Sequence, residues 1–227
     1  RFPQNGDQRH PRGKEKSSAC CKSTHQQRHS TSRCLSGMGV LIMSGRILER
    51  SLIEYGAPTL AGLKTASLFC VPMLDDWQSQ VSWWNNFLHE KGLSLQGLRC
   101  QEGRVLLYLY RPAQLQRDIQ QPGVKEFLAG YGYGEFGTTE AVARLQHRLA
   151  QGTGFPHEIG IFLGYPLGDV EGFIRNGGKN CKCCGCWKVY CNELEARKRF
   201  AQIDKCRRIY TRLYHQGRSV LQLTVAA

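Results

Sequence analysis

The first apolar residues with a period are Ile47, Leu48, Ser51, Leu52 and Tyr55, spaced as one face of a helix, and Gly56 stops the run. Pro58 suits the first turn of a second short helix, Pro58–Thr65, because its missing N–H would be unpaired there. Ser67–Val71 reads as a short buried strand ending at Pro72. Asp75 or Asp76 then caps a helix with Trp77, Val81, Trp84 and Leu88 on one face, and Gly92 closes it. Two strands flank Gln101-Glu102-Gly103, Leu93–Cys100 and Arg104–Arg111, as a hairpin. The second carries Val105-Leu106-Leu107-Tyr108-Leu109-Tyr110, which is apolar on both faces and therefore belongs at the centre of a sheet.

Helices are expected at Pro112–Gln120, Val124–Ala129 and Thr139–Gln151, then a buried strand at Ile159–Leu163 and a short helix at Asp169–Arg175 ending at Gly177. Trp187–Tyr190 reads as a strand. Asn192, with Glu195 three residues on, opens the longest helix, Glu193–Gln216, which Gly217 ends. Ser219–Val225 is a terminal strand or an extended tail. Strands and helices alternate without a strict βαβ rhythm. The expected fold is a single α+β domain over residues 47–227, with a mixed, mainly antiparallel sheet of four or five strands packed with helices.

Residues 1–46 are different in kind. They hold nine Lys and Arg against two acids, which is seven of the thirteen net positive charges of the 227-residue chain, and residues 1–37 have almost no branched aliphatics. Such a segment cannot bury enough apolar surface to offset backbone ordering at roughly 1–2 kcal/mol per residue, so a disordered basic extension is expected. Its readings are an arm for nucleic acid or an appendage ahead of a start at Met38 or Met43. No apolar run approaches the roughly 18 residues of a spanning helix, which excludes a membrane partner from the expectation. Eleven cysteines, an odd number, in a chain of this length point to reduced thiols and a cytoplasmic location.

Four features are candidates for chemistry. Cys181, Cys183, Cys184 and Cys186 make two overlapping C-x-x-C pairs, the spacing of a zinc or iron site, with Lys179, Lys182 and Lys188 favouring thiolate; the alternative is a turn of small polarisable residues. His157 and Glu158 enter the buried segment Ile159–Leu163, and Gly164-Tyr165-Pro166 leads out of it. Together with Asp169 and with Lys188 and Tyr190 on the neighbouring strand, they can bind a small anionic ligand at the start of the following helix, or they are structural polar residues with local partners. Gly132–Gly137 matches G-x-G-x-x-G but follows a helical segment, so a dinucleotide turn is not expected. Arg197, Lys198, Lys205, Arg208 and Arg212 gather on one face of the last helix, opposite Ala196, Phe200, Ile203, Tyr210, Leu213 and Tyr214. That face suits RNA or another polyanion, or is the ordinary charged outside of a surface helix. No triad, paired-carboxylate or phosphate-loop pattern identifies an enzyme.

FPHEIGIFLGYPLGDVEGFI at Phe155–Ile174, GKNCKCCGCWKVY at Gly178–Tyr190 and APTLAGLKTASLF at Ala57–Phe69 together resemble a bacterial family frequent in clostridia, domain of unknown function 3793. The resemblance runs from about residue 47 to the C-terminus. It implies a small cytosolic protein of anaerobic bacteria and brings no activity, cofactor or catalytic residue with it. Gly-x-Trp-Lys-Val-Tyr is the steady element of that family's pattern, with variable cysteines around it.

Overall fold

The computed structural model describes residues 37–134, 137–151 and 154–226, with side chains from Arg46 onward. The expected extension lies outside the described residues up to position 36, as do Glu135 and Phe136 of the glycine-rich loop. Helix α1 already begins at Gly37 and runs without a break to Leu60, so residues 37–46 are helical and neither Gly56 nor Pro58 divides the element. Gly56 serves close approach: a Cβ there would sit 2.8 Å from Leu109, a residue of the sheet beneath. Pro58 falls in the last turn, where it forgoes an N–H bond to the Glu54 carbonyl, and the helix ends two residues later.

Strands β1 (Ala66–Pro72), β2 (Ser94–Gln101) and β3 (Arg104–Tyr110) form one sheet in the order β1-β3-β2, and both pairings are antiparallel. Glu102 and Gly103 both have positive φ, 52° and 68°, the backbone of a tight hairpin turn. Central β3 is buried on both faces, as its unbroken apolar run requires. Val105, Leu107 and Leu109 join one core with Leu48, Leu52, Phe69, Trp84 and Leu88, from α1, β1 and α2 (Trp77–Leu88). Tyr108 and Tyr110 join another on the opposite face. There they pack with α3 (Pro112–Ile119), α4 (Val124–Ala129), α5 (Thr138–Ala150), α6 (Ile159–Phe162) and α7 (Leu167–Arg175). The result is a single α+β domain, with helices on both faces of a small antiparallel sheet.

A second, two-stranded sheet pairs β4 (Cys183–Cys184) with β5 (Lys188–Val189), so the five described strands are all antiparallel and divided between two sheets. This hairpin and α8 (Glu193–His215) enclose a satellite core of Trp187, Val189, Ala196 and Ile203. Asn192 caps α8 by accepting from the Glu195 N–H at 3.2 Å.

One expected strand is a helix, and so is part of the segment expected as a terminal strand or an extended tail. Ile159–Phe162 is one turn of helix closed by Leu163 N–H to Ile159 O at 3.0 Å, and all four of its residues are buried. A turn buried all round shows no polar side, and so reads as a central strand. The tail contains α9 (Val220–Leu223), begun by a reciprocal cap in which Ser219 and Gln222 bond each other's backbone N–H.

Candidate functional site

The bend that leaves α6 is fixed by a contact with Thr65, the residue before β1. Gly164 has φ +73°, and a Cβ there would lie 2.6 Å from Thr65 Oγ1. Thr65 donates that hydroxyl to Asp118 Oδ2 at 2.5 Å, and Gln114 Nε2 donates to Asp118 Oδ1 at 2.9 Å. Thr65, Gln114, Asp118 and Gln121 on one side and the Gly164–Leu167 backbone, Tyr165 and Arg199 on the other line a cavity of about 390 Å³. The first turn of α7 starts in this wall at Leu167; the Asp169 and Val170 N–H groups donate to Pro166 O, and those of Leu167 and Gly168 precede the first intrahelical acceptor.

The Tyr165 ring stacks on Trp187 with centroids 5.0 Å apart, and its hydroxyl donates to Cys186 O at 3.2 Å. Burial pushes the Tyr165 phenol well above its ordinary range. Lys64 Nζ lies 5.1 Å from the centre of the same ring, and the Arg199 guanidinium lies 5.7 Å from that of Trp187. Desolvation, with Arg207 and Arg199 acting the same way and Cys186 opposing, brings Lys64 down from 10.5 to about 8.

The depressed Lys64 has a consequence for stability. Below pH 8 the folded chain carries a poorly solvated ammonium. Between pH 8 and 10.5 the unfolded chain binds more protons than the folded one, so the penalty is relieved as pH rises. Lys64→Met is expected to stabilise the domain by about 1–3 kcal/mol at pH 7, an advantage that shrinks toward zero near pH 10.5. Urea denaturation of both proteins across this pH range measures it.

Gly164 and Tyr165 are the two of the seven ligand candidates that line this cavity; the rest are engaged elsewhere. His157 is exposed and meets Phe173 edge to face at 5.1 Å. Glu158 is buried and accepts from Arg148 Nε at 2.5 Å and from the Tyr133 hydroxyl at 3.3 Å, a structural ion pair. Asp169, also buried, accepts from Trp187 Nε1 at 2.8 Å and from the N–H groups of Tyr190 and Cys191 at 2.7 and 2.9 Å. Lys188 donates to Gly178 O at 2.7 Å. The Tyr190 hydroxyl is buried without a hydrogen-bond partner.

The hairpin separates the overlapping C-x-x-C pairs. Cys183 and Cys186 pack into the satellite core, whereas Cys181 and Cys184 act on the Tyr190 phenol. On β4 the adjacent Cys183 and Cys184 point to opposite sides, the first half-buried and the second exposed. Among the described residues no three His, Cys, Asp or Glu side chains gather as metal ligands would. On α8, Arg197, Lys198, Lys205, Arg208 and Arg212 are all exposed, and Arg197 pairs with Glu193 at 2.7 Å.

Lys64, Asp118 and Arg199 were not among the sequence candidates. Their meeting depends on contacts across 53 residues, as between Thr65 and Asp118, and more. A partial signal was present for Arg199, which sits one turn before Ile203 on the inward side of α8.

The profile described as protein of unknown function, DUF3793, matches residues 52–224. No curated protein and no solved structure matches the chain. Among the described residues no helix is long and apolar enough to cross a membrane.

Proposed function

We propose a ligand-binding role for this chain, which belongs to the DUF3793 family of proteins of unknown function: it binds a small anionic molecule in the cavity between Thr65, Asp118 and the Gly164–Leu167 bend. The observation that supports this reading is the shared wall of Arg199 and Leu167, which brings a guanidinium and the positive end of the α7 dipole to the same space. The opposite wall supports hydrogen bonds rather than charge neutralisation. Each Asp118 oxygen accepts one bond and has capacity for another, so the ligand is expected to bear hydroxyl or amine donors besides its anionic group. Tyr165, held by its stack on Trp187, supplies a rigid apolar side.

Isothermal titration of the full chain with phosphate, sulfate and small carboxylates at low salt tests this reading. Binding of at least one anion with Kd in the micromolar to low millimolar range is expected, together with a loss of about tenfold or more in Arg199→Met. Absence of binding by every anion, or an Arg199→Met protein that binds as the parent does, overturns it.

A further inference from the structure

The cavity lined by Arg199 and Leu167 also holds a negative charge, and the two charges do not cancel each other. Arg199 brings the cation. Its described contact is the Trp187 ring, 5.7 Å from guanidinium to ring centre, and an aromatic face cannot neutralise a full charge. Asp118 brings the anion. Its carboxylate receives the Thr65 hydroxyl on Oδ2 and the Gln114 amide on Oδ1, both of them neutral donors. No salt bridge among the described residues involves Arg199 or Asp118, so each charge stands without an opposite one beside it. A carboxylate has about four acceptor positions, and about two remain on Asp118. Oδ2 lies beside the Gly164 bend, where a Cβ would be 3.6 Å away.

From this pair of charges, and resting on the anion-binding reading above, we infer that the ligand is a zwitterionic amino acid with an uncharged side chain. Its carboxylate meets Arg199 and the positive end of the α7 dipole, and its ammonium meets Asp118. Of the donors that Asp118 can take, a charged amine suits it better than a hydroxyl. An ammonium offers three donors and no acceptor, and a hydrogen bond between two charged partners is the stronger kind. A simple anion satisfies Arg199 but leaves Asp118 as a second negative charge in the same space, which lowers its affinity. A zwitterion matches the wall charge for charge. A charged side chain would add a third charge, and the lining holds no second cation or carboxylate to receive it. Val124, Ile161, Leu167 and Tyr165 offer apolar contact, and Gln121 offers a hydrogen-bonding amide. At about 390 Å³ the space lies at the small end of ligand pockets, which suits a single amino acid rather than a peptide.

The test is isothermal titration of the full chain, near neutral pH and at low salt, with leucine, glutamine and γ-aminobutyrate. Each is paired with the acid that lacks only its amino group: isocaproate, glutaramate and butyrate. At least one of the amino acids is expected to bind about tenfold or more tighter than its deaminated partner. Asp118→Asn is expected to bring that ratio close to one by weakening the amino acid, whereas Arg199→Met weakens both members of the pair. The ratio in the parent protein needs no substitution, so the inference stays testable should Asp118→Asn alter the fold. Amino acids that bind no tighter than their deaminated partners overturn the zwitterion and leave the anion-binding reading standing. Full retention of the ratio in a folded Asp118→Asn protein does the same. Glutamate or lysine binding as tightly as the best neutral amino acid overturns the uncharged side chain. Failure of every small anion and every amino acid overturns the anion-binding reading itself.

Discussion

Asp169→Ala is expected to lower the stability of the domain by about 3–5 kcal/mol, the largest effect of any single polar substitution considered for this chain. The carboxylate is 3 % exposed and receives three N–H groups, two on Oδ1 and one on Oδ2. All three donors come from the hairpin segment 187–191, while Asp169 stands in the first turn of α7. Removing it leaves an indole and two backbone N–H groups buried or half-buried with no acceptor, and each such loss costs about 1–3 kcal/mol. Asp169→Asn offers an intermediate case. Its carbonyl can still receive Tyr190 and Cys191, but its NH2 then faces the Trp187 N–H, donor against donor. For a domain of this size the Ala variant should melt roughly 10 °C lower. Thermal denaturation followed by far-UV circular dichroism checks the size of the effect, and displacement of the Trp187 indole proton resonance checks its location.

The same residue shows what a sequence can and cannot carry. Asp169 near a glycine-rich bend has the look of a ligand residue, but its partners lie 18 to 22 positions downstream and no local spacing points to them. Glu158 has the same history: its partners, Arg148 and Tyr133, are reached through the packing of α5 against the loop before α6. Local rules did well where the signal is local. Central β3, the Glu102-Gly103 turn, the Asn192 cap and the Pro112 start of α3 all follow from residue type and spacing. They fail where burial erases the polar face, as in α6, or where an element is too short to show a period, as in β4 and α9. The bend at Gly164–Tyr165 was legible as the exit from a buried segment even though that segment is helix rather than strand. Its companions Thr65, Asp118 and Arg199 were not, because the fold alone puts them beside it.

Arg111 gives the second large effect. It is 6 % exposed, and no carboxylate pairs with it in any described ion pair; its counter-charge is a helix end. Nε donates to Thr59 O at 2.8 Å, and NH2 donates to Leu60 O at 3.0 Å and Val225 O at 2.7 Å. Thr59 and Leu60 close α1, where the last carbonyls have no intrahelical donor and the helix dipole is negative. One guanidinium thus joins the end of α1, the end of β3 and the C-terminal tail. Burial lowers the pKa of Arg111, yet from a value high enough that it stays charged at any pH where the domain is folded. Arg111→Met keeps the stem and removes the fork, stranding the carbonyls it satisfied; a loss of about 3 kcal/mol is expected. Arg111→Lys should recover only part of it, since an ammonium cannot reach three carbonyls in one plane. Urea denaturation measures the loss. Hydrogen exchange separates this cause from general loosening: the Val225 amide, bonded to Leu60 O at 3.0 Å, should lose protection ahead of the β3 amides. Equal loss of protection in both would mean that the tail is held by its apolar residues Val220 and Leu223 rather than by the guanidinium.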